Sequence, residues 1–354
     1  MISKNAITRA GLIIALSATM QAAHAQDVHF TQFDAQPLTV NPAFTGNFDG
    51  QVRAAAIYRS QWQSVTTGYT TYGASVDMPL VHDLSIDDYL AGGLQLYNDR
   101  AGDGNLQNFV GMLSIAYHKG FGVNESRNRA SQLSVGFQGG YAEKSIDLSK
   151  LYFGDEYNSG AFVPGTSQEY HLGVGNSVHY YVVNAGISFA QRAGDNFSYI
   201  LGVAANNLNQ PSQSFEKKTN SQVVGLSMRY TGELGIMLGI NDRFSLRPAV
   251  LYQTQSSASE IIAGNEFHLV VGNAEVRQFS TAVFLGGWYR TGDAVMITGG
   301  VEFKGFRVGV SYDYNTSSLK TASNGNGGFE LSLRYIAPNP LDFAHSRTIP
   351  CDRF

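Results

Sequence analysis

The 354-residue chain sets 24 Lys and Arg against 28 Asp and Glu, and it holds 39 Gly, 19 Tyr and 21 Phe but only 9 Pro. No cluster of cations suggests nucleic acid, and Cys351, the one cysteine, excludes an internal disulfide. Beyond the first 25 residues no uncharged apolar run reaches about 18 residues, which excludes a helical membrane protein.

Lys4 and Arg9 open the chain, residues 10–20 (AGLIIALSATM) form a short apolar core, and Ala23-His24-Ala25 places small residues before Gln26. This is the pattern of a secretory signal peptide, 1–25, too short and wrongly flanked for a membrane span. A lipoprotein would carry Cys where Gln26 stands. Loss of the leader removes two cations and no anion, so the mature chain has a net charge of −6 instead of −4. Residues 26–50 have no strand period and contain Pro37, Asn41 and Pro42. They are expected in the periplasm or folded into a barrel mouth as a plug.

From residue 51 onward the chain alternates with period two in segments of about ten residues, the signature of membrane strands. In 131–141, Leu133, Val135, Phe137 and Tyr141 share one face, while Ser134, Gly136, Gln138 and Gly140 share the other. The pattern recurs in Tyr72, Ala74, Val76, Met78; in Leu90, Gly92, Leu94, Leu96; and in Phe109, Leu113, Ile115, Tyr117. It returns in Tyr181, Val183, Ala185, Ile187, Phe189, then in Val224, Leu226, Met228, Tyr230 and in Val308, Val310, Tyr312. Last come Phe329, Leu331, Leu333 and Tyr335, opposed by Glu330, Ser332 and Arg334. A charge facing lipid at mid-depth costs about 2–4 kcal/mol, and the pattern keeps charges off that face.

The expected fold is all-β: a transmembrane antiparallel β-barrel of about 14 strands spanning 51–336. The predicted strands are 51–59, 69–78, 89–98, 107–118, 131–141, 178–190, 197–208, 221–232, 242–253, 258–270, 279–290, 293–303, 305–314 and 327–336. Closure is required because lipid offers no partner to an open strand edge. Tyr58, Tyr117, Tyr141, Tyr181, Tyr230 and Tyr335 fall near strand ends, as an aromatic girdle would. With the N-terminus in the periplasm, loops after odd-numbered strands face outward, including the long connection 142–176 and the Gly/Asn-rich 324–327. The link 120–130 is then long for a periplasmic turn. Residues 337–354, with Pro338, Pro340 and Pro350, form a C-terminal periplasmic tail.

No G-x-S-x-G, H-E-x-x-H or paired Cys-x-x-Cys motif occurs, so no enzyme is predicted and no cofactor or metal is implied. His118, His171, His179 and His268 lack ligand spacing and read as ordinary hydrogen-bonding groups. Residues 99–104 (DRAGDG) faintly resemble a calcium loop, but Ala101 takes an oxygen-ligand position and the distal Glu is missing, so a polar hairpin turn fits better. Arg53, Arg229, Arg247, Glu302, Arg307 and Glu330 are expected to point into the lumen, as an ion-pair network or as a selectivity or docking site. Trp62 and Trp288 carry N–H groups that suit a membrane interface.

Specific motifs carry a family resemblance. Gln26-Asp27-Val28-His29-Phe30-Thr31-Gln32-Phe33 leads to Asn41-Pro42-Ala43-Phe44-Thr45-Gly46 and to Tyr58-Arg59-Ser60-Gln61-Trp62. Later come Asn207-Leu208-Asn209-Gln210-Pro211-Ser212-Gln213-Ser214-Phe215, Gly287-Trp288-Tyr289-Arg290 with Asp293-Ala294, and Ser311-Tyr312-Asp313-Tyr314-Asn315. Thr321-Ala322-Ser323 and residues 327–333 continue the series, and Pro350-Cys351-Asp352-Arg353-Phe354 ends it, with Asp352 where the family has Pro. The ordered set resembles the PorP/SprF family of the Bacteroidetes type IX secretion and gliding system.

The resemblance implies a non-enzymatic outer-membrane component that docks secreted adhesins through a type-B C-terminal domain. It also implies contacts with periplasmic secretion or peptidoglycan-linked proteins. The loops 142–176 and 210–220 would be the gripping surface. Leu151, Tyr152, Phe153, Tyr157 and Phe162 would either contact the partner or pack the loop on the rim. The alternative is a channel for hydrophobic small molecules, because Asn41-Pro42-Ala43 also resembles a motif of FadL-type transporters.

Overall fold

The computed structural model describes residues 30–338, apart from 64–66, 83, 85–86, 125–128, 159–160, 169–175, 195, 216–224, 272–280 and 318–319. The leader, residues 26–29, His171, Asn220, Val224, Pro340, Pro350, Cys351 and the tail beyond Pro338 lie outside the described residues.

The strands are β1 (Val52–Gln61), β2 (Tyr69–His82), β3 (Asp88–Ala101), β4 (Leu106–Asn124), β5 (Arg129–Ser145), β6 (Tyr157–Asn158), β7 (Ala161–Phe162) and β8 (Ser177–Ala193). They continue as β9 (Phe197–Asn206), β10 (Arg229–Gly239), β11 (Phe244–Gln255), β12 (Ala258–Val270), β13 (Ala282–Arg290), β14 (Ala294–Phe303), β15 (Phe306–Asn315) and β16 (Asn326–Ala337). β6 and β7 form a small hairpin of their own. The others close into one barrel in which β1 pairs antiparallel with both β2 and β16. The barrel thus has 14 strands, as the period-two segments require.

The faces also follow the alternation. Phe137 is 57% exposed on the outer surface whereas its neighbour Gln138 is 2% exposed inside. The final strand repeats this: Phe329, Leu331 and Leu333 point outward, and Glu330, Ser332 and Arg334 are buried within.

Strand boundaries differ from the sequence reading at several places, most of all around β4, β5 and β10. The eighth wall strand is Arg229–Gly239, not 221–232. Its Gly232, Glu233 and Gly235 look like breakers in one dimension, but Glu233 points inward while Leu234 takes the outer face. Leu226 and Met228 precede the strand and belong to the connection before it. The link 120–130 is mostly strand: β4 and β5 pair out to Asn124 and Arg129 across a bulge. The long connection begins only after Ser145, so Ala142 is a buried wall residue.

The N-terminal segment fills the lumen. Residues 30–48 form short turns, Phe33–Ala35, Pro37–Val40 and Pro42–Phe44, and are almost entirely buried. Phe33, Val40 and Phe44 pack with inward side chains of β9 to β14, among them Ile200, Met237, Leu251, Ile262 and Met296. Each such burial stabilises the seated segment by about 1.5–3 kcal/mol. Short helical turns suit this place because they satisfy part of their own backbone, which a strand inside a barrel could not do.

Candidate functional site

Asn41-Pro42-Ala43 is a point where the internal segment lies directly against the wall. Asn41 Oδ1 accepts from the Ala43 N–H at 2.9 Å, capping the turn that Pro42 begins. Its Nδ2 donates outward to the wall carbonyls of Ile187 (3.2 Å) and Val203 (3.3 Å). The approach requires glycine on three adjacent strands. A Cβ on Gly186 would lie 2.0 Å from Asn41 Oδ1, one on Gly136 would lie 2.3 Å from the Pro42 carbonyl carbon, and one on Gly202 would lie 2.9 Å from Asn41 and Phe44. Glycine in a strand often marks such a backbone approach.

A second attachment sits at the seam between the first and last strands. Glu330 accepts from the backbone N–H groups of Thr31 (2.8 Å) and Gln32 (2.9 Å) and forms an ion pair with Arg59. Thr31 Oγ1 donates to Asp313 at 2.7 Å and accepts from Arg59 (3.2 Å) and Arg290 (3.1 Å). Arg290 reaches Asp313 at 3.4 Å and Asp293 at 3.1 Å. Arg59, Arg290, Glu330 and Asp313 therefore surround one threonine, with Asp293 and Glu260 (3.9 Å) also beside Arg290, so each buried arginine has carboxylate partners.

Two further clusters hold the segment nearer the end of the barrel where β1 begins. Arg53 pairs with Asp77 at 2.7 Å and donates to the Phe44 carbonyl at 2.9 Å, while the Gly46 N–H donates to Asp77 at 2.6 Å. His118 Nε2 donates to the Thr45 carbonyl at 2.7 Å, and its ring stacks on Tyr89. Across the lumen Arg307 joins Glu266 (2.6 Å), Glu302 and Asp34 (3.5 Å), Arg247 joins Glu266 (3.2 Å), and His268 meets Glu302 at 2.9 Å. The inward charges form an ion-pair network that grips a peptide.

The opposite end carries the long loops. Gln213 donates to the Tyr180 hydroxyl at 3.1 Å and accepts from Lys144 at 3.2 Å, so the β9–β10 connection leans over the mouth. The β5–β8 connection is internally tied. Glu156 is buried and accepts from the N–H groups of Phe153 (3.0 Å) and Gly165 (2.7 Å). Asp155 accepts from the Gln168 N–H and the Ser167 hydroxyl, both at 2.9 Å. The Gln168 N–H first, and the Ser167 hydroxyl second, hold the Asp155 carboxyl below the usual carboxylate range.

The loop residues named from the sequence divide into two sets. Leu151 lies on the rim beside Gly104, and Phe153 is half-buried. Tyr152, Tyr157 and Phe162 are exposed, and Phe162 packs against both tyrosines, its ring centroid 5.8 Å from that of Tyr152 and 5.2 Å from that of Tyr157.

The motif residues also separate. Asn41, Pro42, Ala43, Arg290 and Asp313 serve the internal segment, as shown above. Trp288 departs from the expected membrane interface: it faces the lumen, packs edge-on against Phe33 at 5.5 Å, and donates to Thr298 at 3.1 Å. Tyr289 and Tyr312 point outward, Tyr58 stacks near Tyr72 on that same face, and Trp62 packs on Tyr69 at the loop-bearing end. Pro211 lies in the β9–β10 connection, its carbonyl accepting from Leu226 at 2.8 Å. Asp293 accepts from Arg290 in the β13–β14 turn. In the resembled calcium loop the carboxylates have separate partners, Asp99 with Thr71 and Asp103 with Thr67. Asp77, Glu260 and Glu266 were missed; their inward parity was the available signal.

No curated protein matches the chain. Among solved structures, the Ralstonia pickettii toluene transporter TbuX is similar at 10% identity and TM-score 0.43, covering 85% of this chain and 92% of that one. The Pseudomonas putida toluene transporter TodX is similar at 11% identity and TM-score 0.42, covering 87% and 93%. The β domain of the Bordetella autotransporter BrkA is similar at 11% identity and TM-score 0.36, covering 81% and 99%. The family model described as type IX secretion system membrane protein PorP/SprF matches residues 22–335. A closed, outward-apolar barrel and that match together make this an outer-membrane protein of a Gram-negative cell, and the chain belongs to the PorP/SprF family of type IX secretion membrane proteins.

Proposed function

We propose that this barrel is a non-enzymatic docking component of a Bacteroidetes-like type IX secretion or gliding system. It holds an exported surface adhesin, through the adhesin's type-B C-terminal domain, at the end bearing the long loops, which faces outside the cell. The observation that carries the reading is the contrast between the two ends of the lumen. The interior is occupied by residues 30–48, bonded to most of the wall, which disfavours passive diffusion of hydrophobic small molecules. The β5–β8 connection instead presents Tyr152, Tyr157 and Phe162 on a loop preorganised by Asp155 and Glu156. Exposed aromatics on an ordered loop supply contact area at little entropic cost. Periplasmic secretion or peptidoglycan-linked proteins would meet the opposite end.

The test replaces Tyr152, Tyr157 and Phe162 together with Ser in the native cell. Surface display of the adhesin should fall while the barrel keeps its heat-modifiable gel mobility. Unchanged display with an assembled barrel would remove the loop from the docking surface.

A further inference from the structure

The barrel wall has a step in it. β8 pairs with β5 along its whole length, from Ser177 opposite Ser145 to Ala193 opposite Arg129. On its other side β8 pairs with β9 only from Ala185 to Arg192. The eight residues Ser177 to Asn184 therefore rise above the end of β9 as a strand edge.

The backbone directions along this edge are given by the bonds just above β9. The Val183 carbonyl accepts from the Leu208 N–H at 2.9 Å. Asn209 then closes the next position with its side chain: Oδ1 accepts from the Val183 N–H at 3.2 Å and Nδ2 donates to the Tyr181 carbonyl at 2.7 Å. One side-chain amide thus stands where a neighbouring strand would put a peptide group. Alternation along a strand aims the N–H of Tyr181 and both backbone groups of His179 the same way. Among the described residues these groups have no backbone partner on that side. Among the described residues after Asn209, Gln213 bonds to the Tyr180 hydroxyl and to Lys144, not to the backbone of this edge.

The edge lacks the usual protections. Residues 178–183 read VHYYVV, with no proline and no Lys, Arg, Asp or Glu, although exposed edges are normally blunted by such residues. Its outer face carries an aromatic strip: Tyr181 is 73% exposed, and Tyr141 stacks on His179 with its hydroxyl 2.6 Å from Nδ1. β-Augmentation uses this combination, a row of backbone groups for affinity and flanking side-chain sites for selectivity.

We propose that the edge of β8 from Ser177 to Tyr181 receives an extended segment of the exported partner as an added β-strand. This rests on the docking reading above and names how the partner is gripped. Acyl chains cannot satisfy the backbone groups, since they offer neither donor nor acceptor. The edge is also continuous with the proposed aromatic surface, because the connection carrying Tyr152, Tyr157 and Phe162 ends where β8 begins.

The experiment places a photoreactive phenylalanine analogue at Tyr181 or at Tyr157 in the full chain in native outer membranes, and identifies cross-linked peptides by mass spectrometry. The expected product from both positions is the same exported protein, with position 181 reaching one extended segment of it. His179→Pro removes a sideways N–H that the β5–β8 ladder does not use, and should cut the yield at 181 about tenfold with heat-modifiable mobility kept. Cross-links at 157 but not at 181, or a yield indifferent to His179→Pro, would overturn strand addition and leave docking intact. Products at 181 containing lipid, a second copy or only residues of the β9–β10 connection would overturn it too. No exported protein at either position would overturn the docking reading itself.

Discussion

Arg59 on β1 and Glu330 on β16 are cross-strand partners in register, and their ion pair spans the seam at which the barrel closes. The same Glu330 takes two backbone N–H groups from Thr31 and Gln32. One carboxylate therefore couples barrel closure to seating of the N-terminal segment.

Glu330→Ala should destabilise the barrel by about 3–5 kcal/mol, because it leaves Arg59 with Asp313 alone, at 3.3 Å, and strands two buried N–H donors. A joint replacement of Arg59 and Glu330 by Met should cost less than the single change. The midpoint of heat-modifiable mobility measures both; equal midpoints for the single and joint variants would show the coupling to be absent.

Gly186→Ala should unseat the internal segment, since the added methyl lands on Asn41. Overpacking of this kind costs about 1–3 kcal/mol. Planar-bilayer conductance should rise in Gly186→Ala relative to the parent, and Asn41→Ala should give a smaller rise. A closed channel in both variants would mean that other contacts alone hold the segment.

Phe137→Arg and Ser134→Arg should both be harmful, for different reasons. Phe137 faces lipid, where Arg costs about 2–4 kcal/mol and blocks insertion. Ser134 is buried beside His118 and Gln132 under the internal segment, so Arg there should permit insertion but raise conductance. Insertion assays and conductance separate the two outcomes; the same defect from both would contradict the assigned faces.

Asp155 sets an acid limit on the order of the β5–β8 loop. Its folded pKa lies below the unfolded value of about 3.9, so its contribution is present above that value. It is lost as pH falls through the folded value. Limited proteolysis should find the loop protected from neutral pH down to about pH 4, where the unfolded reference carboxyl is half-protonated. Asp155→Ala should expose the loop to cleavage at neutral pH, with the barrel unaffected.

Much of this architecture was readable in one dimension, because lipid imposes a local rule. A residue such as Phe137 or Leu331 must face acyl chains and its neighbour must not, so parity alone assigns the wall and the inward charges. Local reading failed where partners come from distant residues. Nothing near Trp288 says that Phe33 occupies the lumen beside it, and Gly186 reads as a weak strand residue until Asn41 is seen against it. The β10 boundary was not legible locally, because Glu233 fits a wall strand only where the lumen accepts a carboxyl side chain. The order of strands, the membrane-facing side and the family motifs were thus properties of the sequence. The filled interior, the pairing of Glu330 with the chain's beginning and the exposed edge of β8 were decided only by closure, which brings residues some 300 positions apart into hydrogen-bond distance.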